Sequence, residues 1–210
     1  MGSICLDRLL KVIPGALGSV AIETGTCKGL GAKALAKSFP RVITIELSEA
    51  LHREARERLA PFSHVTCLRG SSVELLPPVL EGLQKEPVFL FLDAHWSGDR
   101  TVNWAQSNWK GYGFDTAHLG AVGFVPGGPE QCPLAAELAA IVRHCRGSAC
   151  ILIDDVKNLG QRNQGFPGED WSHLSRESLL SIVAPRLQEF RELEKPGQWF
   201  LRLAEISAGC

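Results

Sequence analysis

No apolar run in this 210-residue chain approaches the ~20 residues a bilayer-spanning helix needs, so the sequence predicts no membrane anchor. An excess of one charge is also missing. Lys and Arg total 22 against 23 Asp and Glu, a formal net charge of −1, which gives no whole-chain attraction to nucleic acid or an anionic membrane. The seven cysteines (Cys5, Cys27, Cys67, Cys132, Cys145, Cys150, Cys210) are odd in number and show no C-x-x-C pair or zinc-type spacing. Several lie in apolar runs, where a thiol behaves as a small hydrophobe. Met1 to Arg8 carry neither the basic n-region nor the apolar core of a signal peptide. These absences together predict a reduced, cytoplasmic protein. There is no internal repeat or low-complexity segment, and no signal of oligomeric state.

What is present is enough for one domain over residues 1–210. Hydrophobic residues make up 45% of the chain, a globular share at a length that buries a sizeable core. Short β-type runs alternate with helical patterns. Strands are expected at Ser19–Ile22, Arg41–Glu46, His64–Arg69, Val88–Leu92 and Ala149–Ile153. Helices are expected at Ile4–Ile13, Ala32–Lys37, Glu49–Leu59 (with Ser48 as N-cap), Val73–Leu83, Pro133–Cys145 and Leu174–Leu187. Residues 97–131 lose all periodicity and read as a long functional loop inserted in the domain. Asn158–His173 reads as a polar loop. A closing hairpin, with Lys195-Pro-Gly at its turn, follows near the C-terminus. The alternation predicts an α/β fold: a doubly wound, mostly parallel, Rossmann-like sheet with a C-terminal antiparallel hairpin strand.

The most informative stretch is Ala21-Ile-Glu-Thr-Gly-Thr-Cys-Lys-Gly-Leu-Gly-Ala-Lys-Ala-Leu35, a strand, a glycine turn and a helix. Such a turn presents backbone N–H groups to a nucleotide-like ligand. Gly25, Gly29 and Gly31 are spaced G-x-x-x-G-x-G, unlike the dinucleotide fingerprint G-x-G-x-x-G. Glu23 places an acid where a pyrophosphate would be repelled. Glu46, about 20 residues on, ends the next strand, where an acid grips ribose hydroxyls. Gly70 and Ser71 stand at the third strand's end, as a base edge would require. This combination resembles the S-adenosylmethionine site of class I methyltransferases.

Acids also end the two most apolar strands: Asp93 after Val88–Leu92, then Asp154 and Asp155 after Ala149–Ile153. If those strands are neighbours the three converge, and three hard oxygen donors favour Mg²⁺, with Mn²⁺ or Ca²⁺ as alternatives. Phe91-Leu-Asp-Ala-His-Trp96 and Ile151-Leu-Ile-Asp-Asp-Val156 resemble the metal motifs of catechol and caffeoyl-CoA type O-methyltransferases. The resemblance spans about Ser19 to Val156. It implies that Asp93, Asp154 and Asp155 hold a divalent cation and that the cation holds the substrate hydroxyl. It also places Asp93 beside the cofactor. The departures are specific. The family's lysine after the first aspartate is replaced by the Ser97-Gly98 neighbourhood, and Asp155 stands where the family has asparagine. The N-terminal helices that roof the cofactor are largely missing, so catechol or caffeoyl acceptors are not implied.

His95 is the candidate catalytic base, since an ordinary imidazole titrates near 6.5. Lys157 is a second candidate, and Trp96 a candidate pocket wall. His52, His64, His118, His144 and His173 have no motif context. The expected activity is an S-adenosylmethionine-dependent, Mg-assisted O-methyltransferase acting on a small molecule with a hydroxyl group. Two alternatives stand beside it. A nicotinamide-dependent oxidoreductase on the same fold is disfavoured by the glycine spacing, by Glu23 and by a single tyrosine, Tyr112, with no Tyr-x-x-x-Lys dyad. A non-catalytic S-adenosylmethionine-binding module would leave the acids after the fourth and fifth strands unexplained.

Overall fold

The computed structural model describes residues 18–95, 132–162, 170–193 and 197–206. The expected Ile4–Ile13 helix, Trp96, His118 and the 97–131 insertion lie outside these residues. Seven strands form one sheet: β1 (Val20–Thr24), β2 (Arg41–Glu46), β3 (Val65–Arg69), β4 (Val88–Leu92), β5 (Ala149–Ile153), β6 (Leu187–Glu192) and β7 (Trp199–Leu203). Their order is β3-β2-β1-β4-β5-β7-β6. Pairing from β3 through β5 is parallel, and β7 runs antiparallel to both its neighbours, β5 and β6. The closing hairpin therefore supplies one reversed strand, placed between β5 and the edge strand β6.

The helices are α1 (Leu30–Leu35), α2 (Glu49–Leu59), α3 (Ser72–Gly82), α4 (Leu134–His144) and α5 (Arg176–Val183), with a 3₁₀ turn at Val156–Asn158. They cover both faces of the sheet and make two cores. Val20, Ile22, Ile43, Ile45, Leu90 and Ile151 pack beneath α3, α4 and α5. Ala21, Val42, Phe89, Phe91 and Phe200 pack on the opposite face, under α1 and α2. Strand side chains alternate with period two, so a strand buried on both faces must be apolar throughout. That is why β4 (VFLFL) and β5 (ACILI) are readable from sequence. Phe89, Phe91 and Phe200 are fully buried, each worth about 1.5–3 kcal/mol relative to exposure.

Two helices differ from expectation by more than one residue. α1 begins two residues early, at Leu30, because Gly29 (φ +73°) turns the chain into it. α5 ends at Val183 rather than Leu187. It opens on a capping box in which Ser175 and Ser178 exchange side-chain and backbone bonds. Ala184 still bonds the Leu180 carbonyl, but Pro185 has no N–H to continue the ladder, and Leu187 enters β6. Arg186 in this corner fixes the hairpin to α4: its guanidinium donates to the Val142, Cys145, Gly147 and Ala204 carbonyls. α3 persists through Pro77 and Pro78. Among the described residues no helix is long and apolar enough to cross a membrane, and Cys27, Cys67, Cys145 and Cys150 are free thiols.

The chain runs outward from β1 through β2 to β3, then returns to lay β4 on the other side of β1. The crevice at that switch point, outside the carboxyl ends of β1 and β4, is where open α/β sheets bind ligands.

Candidate active site

Gly25 follows β1 directly at this crevice. Its φ is +78°, and a Cβ there would lie 2.5 Å from the Asp93 carbonyl oxygen and 2.9 Å from Ala94 Cα. Glycine is needed because the end of β4 presses on the turn, so the crowding comes from the protein's own backbone. Gly31 meets a similar constraint, since a Cβ would sit 2.0 Å from Glu23 Oε1. Without that Cβ, α1 settles onto the Glu23 carboxylate, and the Ala32 N–H faces it. Gly29 packs against Ala55 and Leu59 of α2.

Glu23 is 2% exposed and lies under α1, on the opposite face of β1 from Thr24. Thr44 Oγ1 donates to its Oε2 at 2.6 Å, and Thr26 and Thr44 hydroxyls are 2.5 Å apart. Because Thr44 gives its proton to Glu23, Thr26 donates to Thr44. Burial pushes the Glu23 carboxyl up to about 8, against the opposing Thr44 bond. Glu23 thus supports the turn from below, away from the position expected for an acid facing a ligand's amino-acid tail.

Glu46 closes the turn from the side. Its Oε2 accepts from Cys27 N at 2.7 Å and its Oε1 from Ser48 N at 2.8 Å. Burial raises its carboxyl to about 7 in spite of these bonds. Gly70 N donates to the Glu46 carbonyl at 2.9 Å, tying the end of β3 to that of β2. Ser71 occupies the N-cap position of α3 without making the side-chain cap bond. Ser72, at the first helical position, is 7% exposed.

At the ends of β4 and β5 the arrangement is different. Leu92 pairs with Ile153, so Asp93 and Asp154 emerge side by side. Among the described residues, one group of three brings its ligand atoms within 4.8 Å of one another: Asp93, His95 and Asp155. His95 Nε2 lies 3.4 Å from Asp155 Oδ2 and 3.6 Å from Asp93 Oδ1. The expected trio of Asp93, Asp154 and Asp155 is thereby revised. Asp154 is 6% exposed and its Oδ1 accepts the Asp155 N–H at 3.0 Å, which leaves His95 as the third member. Asp155 has φ +56°, a left-handed conformation that aspartate and asparagine tolerate better than most residues. The same geometry explains why either type can stand at this position.

The two carboxylates are tuned apart. Burial drives the Asp93 carboxyl above the usual range. The imidazole of His95, more than the neighbouring Lys157, holds Asp155 down at about 2. Lys157 Nζ is 3.5 Å from Asp155 Oδ1 on a largely exposed side chain. Three other histidines sit elsewhere: His52 and His64 bond the Cys67 and Ala36 carbonyls, and His144 pairs with Glu81.

Two residues here were not singled out by sequence. Trp171 is 2% exposed and stacks at a tilt on His95, with ring centroids 5.6 Å apart. Its signal was a tryptophan inside a polar loop. Glu137 of α4 is 1% exposed and lines a small recess with Asp93, His95, Asp154 and Trp171. It occupies the same helical stripe as Leu134, Leu138 and Ile141, so an acid on an apolar face was the available clue. Burial raises the group to about 7, against the opposing pull of the Ser72 and Thr24 hydroxyls that face it.

The strand order, the reversed β7 and the switch-point crevice define a Rossmann-like fold shared with S-adenosylmethionine-dependent methyltransferases. Three solved structures illustrate the likeness. The Bacillus cereus O-methyltransferase in complex with SAH is 17% identical, with a TM-score of 0.55 over 95% of this chain and 79% of that one. TomG from Streptomyces achromogenes, an O-methyltransferase involved in tomaymycin synthesis and bound to SAM, is 17% identical (TM-score 0.53, 98% and 82% covered). The N-methyltransferase NodS from Bradyrhizobium japonicum WM9 is 11% identical (TM-score 0.53, 96% and 94% covered). No family model and no curated protein sequence matches the chain.

Proposed function

We propose that the chain is an S-adenosylmethionine-dependent O-methyltransferase acting on a small hydroxylated molecule, assisted by a divalent cation. One observation carries this reading: a glycine turn braced by Glu46 and a group of two carboxylates and an imidazole flank the same crevice. The first side suits the cofactor. Glu46 is held in place by backbone N–H groups, and a carboxylate has about four acceptor positions, so it retains capacity for a ribose hydroxyl. Ser71, with no cap bond to make, offers its hydroxyl at the rim. Neighbours on this fold that bind SAM or SAH support the assignment.

The second side suits the acceptor. Asp93 and Asp155 fit a divalent cation, since Asp93 Oδ1 is buried with no hydrogen-bond partner among the described residues and faces a second carboxylate. When bound there, such a cation supplies Lewis acidity that lowers the acceptor hydroxyl's pKa. His95 removes the proton at Nε2, and Asp155, held ionised, stabilises the imidazolium that results. Trp171 packs on the ring and limits its rotation. One nitrogen cannot both ligate a cation and take a proton, so metal dependence assigns the role of His95. Methyl transfer measured after exhaustive chelation and after re-addition of Mg²⁺ or Mn²⁺ tests this. Loss on chelation and recovery on re-addition are expected. Undiminished transfer in the chelated enzyme would remove the cation and leave His95 as a metal-free base.

A further inference from the structure

We infer that Asp93, His95 and Asp155 separate two classes of divalent cation: a zinc-class ion recruits His95 Nε2 as a third ligand, whereas Mg²⁺ takes oxygens and leaves that nitrogen alone. A zinc-class ion would thereby switch off the base. That consequence rests on the cation-assisted reading above and adds regulation of the same site. Asp93 and His95 follow β4, and the left-handed turn at Asp155 (φ +56°) brings the third side chain round from β5. His95 Nε2 is 3.4 Å from Asp155 Oδ2 and 3.6 Å from Asp93 Oδ1. Both separations exceed the roughly 2.7–2.9 Å of a charge-assisted N–H···O bond. Two donors about 2.1 Å from one ion lie about 3.4 Å apart at a tetrahedral angle and about 3.0 Å apart at the right angle of an octahedron. The His95 separations match the wider spacing, which suits Zn²⁺ or Co²⁺.

The donor chemistry agrees with the spacing. Imidazole nitrogen suits zinc and its neighbours, while Mg²⁺ prefers carboxylates and keeps several waters. Asp93 Oδ1 is buried with no hydrogen-bond partner among the described residues, and it faces this nitrogen. Access lies on the other side of the group, where the His95 and Asp155 side chains are 20% and 24% exposed. Trp171 packs on the imidazole and fixes its plane, the kind of outer support that orients a ligating ring. A neutral imidazole has one nitrogen lone pair to give. Once Nε2 holds an ion, it accepts no proton.

The test titrates Zn²⁺, Co²⁺ and Mg²⁺ separately into the full chain by calorimetry. The His95 ring signals are followed by NMR with Zn²⁺ and Mg²⁺, and the visible spectrum with Co²⁺. Zn²⁺ should saturate and shift the His95 signals, Mg²⁺ should leave them nearly in place, and Co²⁺ should give the intense absorption of a tetrahedral ion. His95→Ala and His95→Asn should each weaken Zn²⁺ at least about tenfold while Mg²⁺ binds as before. Asp155→Ala should weaken both cations. Equal losses for Zn²⁺ and Mg²⁺ in the His95 variants overturn the inference, as does no Zn²⁺ binding to the wild type. Unchanged Zn²⁺ affinity in those variants overturns it too, by placing the ion elsewhere, for example on the exposed Cys27 thiol. S-adenosylhomocysteine is titrated beside them; its failure to bind would overturn the methyltransferase reading and leave the cation preference standing.

Discussion

The two sides of the crevice treat buried polar groups in opposite ways. At the ends of β1 and β2, Glu23 takes the Thr44 hydroxyl, Thr26 bonds Thr44, and Glu46 takes the Cys27 and Ser48 N–H groups. Around the ends of β4 and β5, Asp93 Oδ1, Thr24 Oγ1 from the neighbouring β1 and both oxygens of Glu137 on α4 have no hydrogen-bond partner among the described residues. Buried polar groups in native proteins are nearly always satisfied. The first side has completed its bonds internally and holds a shape. The second retains unmet hydrogen-bonding demand among the described residues. A single residue pair on β1 shows how close the contrast is: Glu23 is satisfied on one face, and Thr24 on the other is not.

The largest expected effect lies on the unsatisfied side. His95→Ala should lower turnover about 10²–10⁴-fold while S-adenosylmethionine affinity, measured by calorimetry, stays close to wild type. Parallel loss of cofactor binding would erase the distinction between the sides. On the satisfied side, Gly25→Val should act through stability. The added atoms collide with the Asp93 backbone, and φ +78° is strained for valine, together costing on the order of 3 kcal/mol or more. Chemical denaturation reads this directly. A stable variant that merely fails to bind cofactor would mean the glycine serves the ligand and that the packing adapts.

Glu46→Ala should weaken S-adenosylmethionine about 10–100-fold, by removing a charge-assisted bond worth roughly 1.5–3 kcal/mol. The same change releases the Cys27 N–H, so amide exchange at Cys27 should accelerate. Unchanged affinity with faster exchange would confine Glu46 to bracing the turn.

The smallest effect is a pH dependence. Glu23, Glu46 and Glu137 have folded-state pKa values raised to about 8, 7 and 7 from 4.5. The folded state therefore binds more protons than the unfolded state between pH 4.5 and about 8, and stability falls as pH rises through that window. Asp155, lowered to about 2 from 3.8, works the other way: its contribution is present above 3.8 and lost as pH falls toward 2. Thermal unfolding from pH 5 to 8.5 should show a declining Tm, and Glu137→Gln should flatten part of the decline. An unchanged slope in that variant would mean that Glu137 keeps its charge on folding.

Much of this was legible in the sequence where local and global signals agreed. β4 and β5 were read to the residue because two-sided burial demands continuous apolar runs, and β2 because Pro40 punctuates the chain just before it. The helix Glu49–Leu59 was read to the residue because Ser48 caps it. The end of α5 was misplaced because the pull of Pro185 and of β6 pairing outweighs an apolar pattern that continues through Leu187. In the site, strand-end acids were visible as residue types, but side-chain direction was not. Whether Asp154 or His95 joins Asp93 and Asp155 depends on a left-handed turn at Asp155 that no spacing rule reveals. The purpose of the glycines was also hidden, since the atoms that crowd Gly25 and Gly31 belong to Asp93, Ala94 and Glu23. Glu137 was overlooked because an acid in a helix is usually solvated, and only burial shows that this one is not.

The most direct test of the central claim is a calorimetric titration of the full chain with S-adenosylmethionine and, separately, with NAD. Repeating it on Asp155→Ala separates the two sides of the crevice. S-adenosylmethionine should bind one per chain, bind Asp155→Ala equally well, and lose affinity in Glu46→Ala, while NAD gives no heat of binding. Saturable NAD binding with no response to S-adenosylmethionine would contradict the account and restore the oxidoreductase reading of this fold.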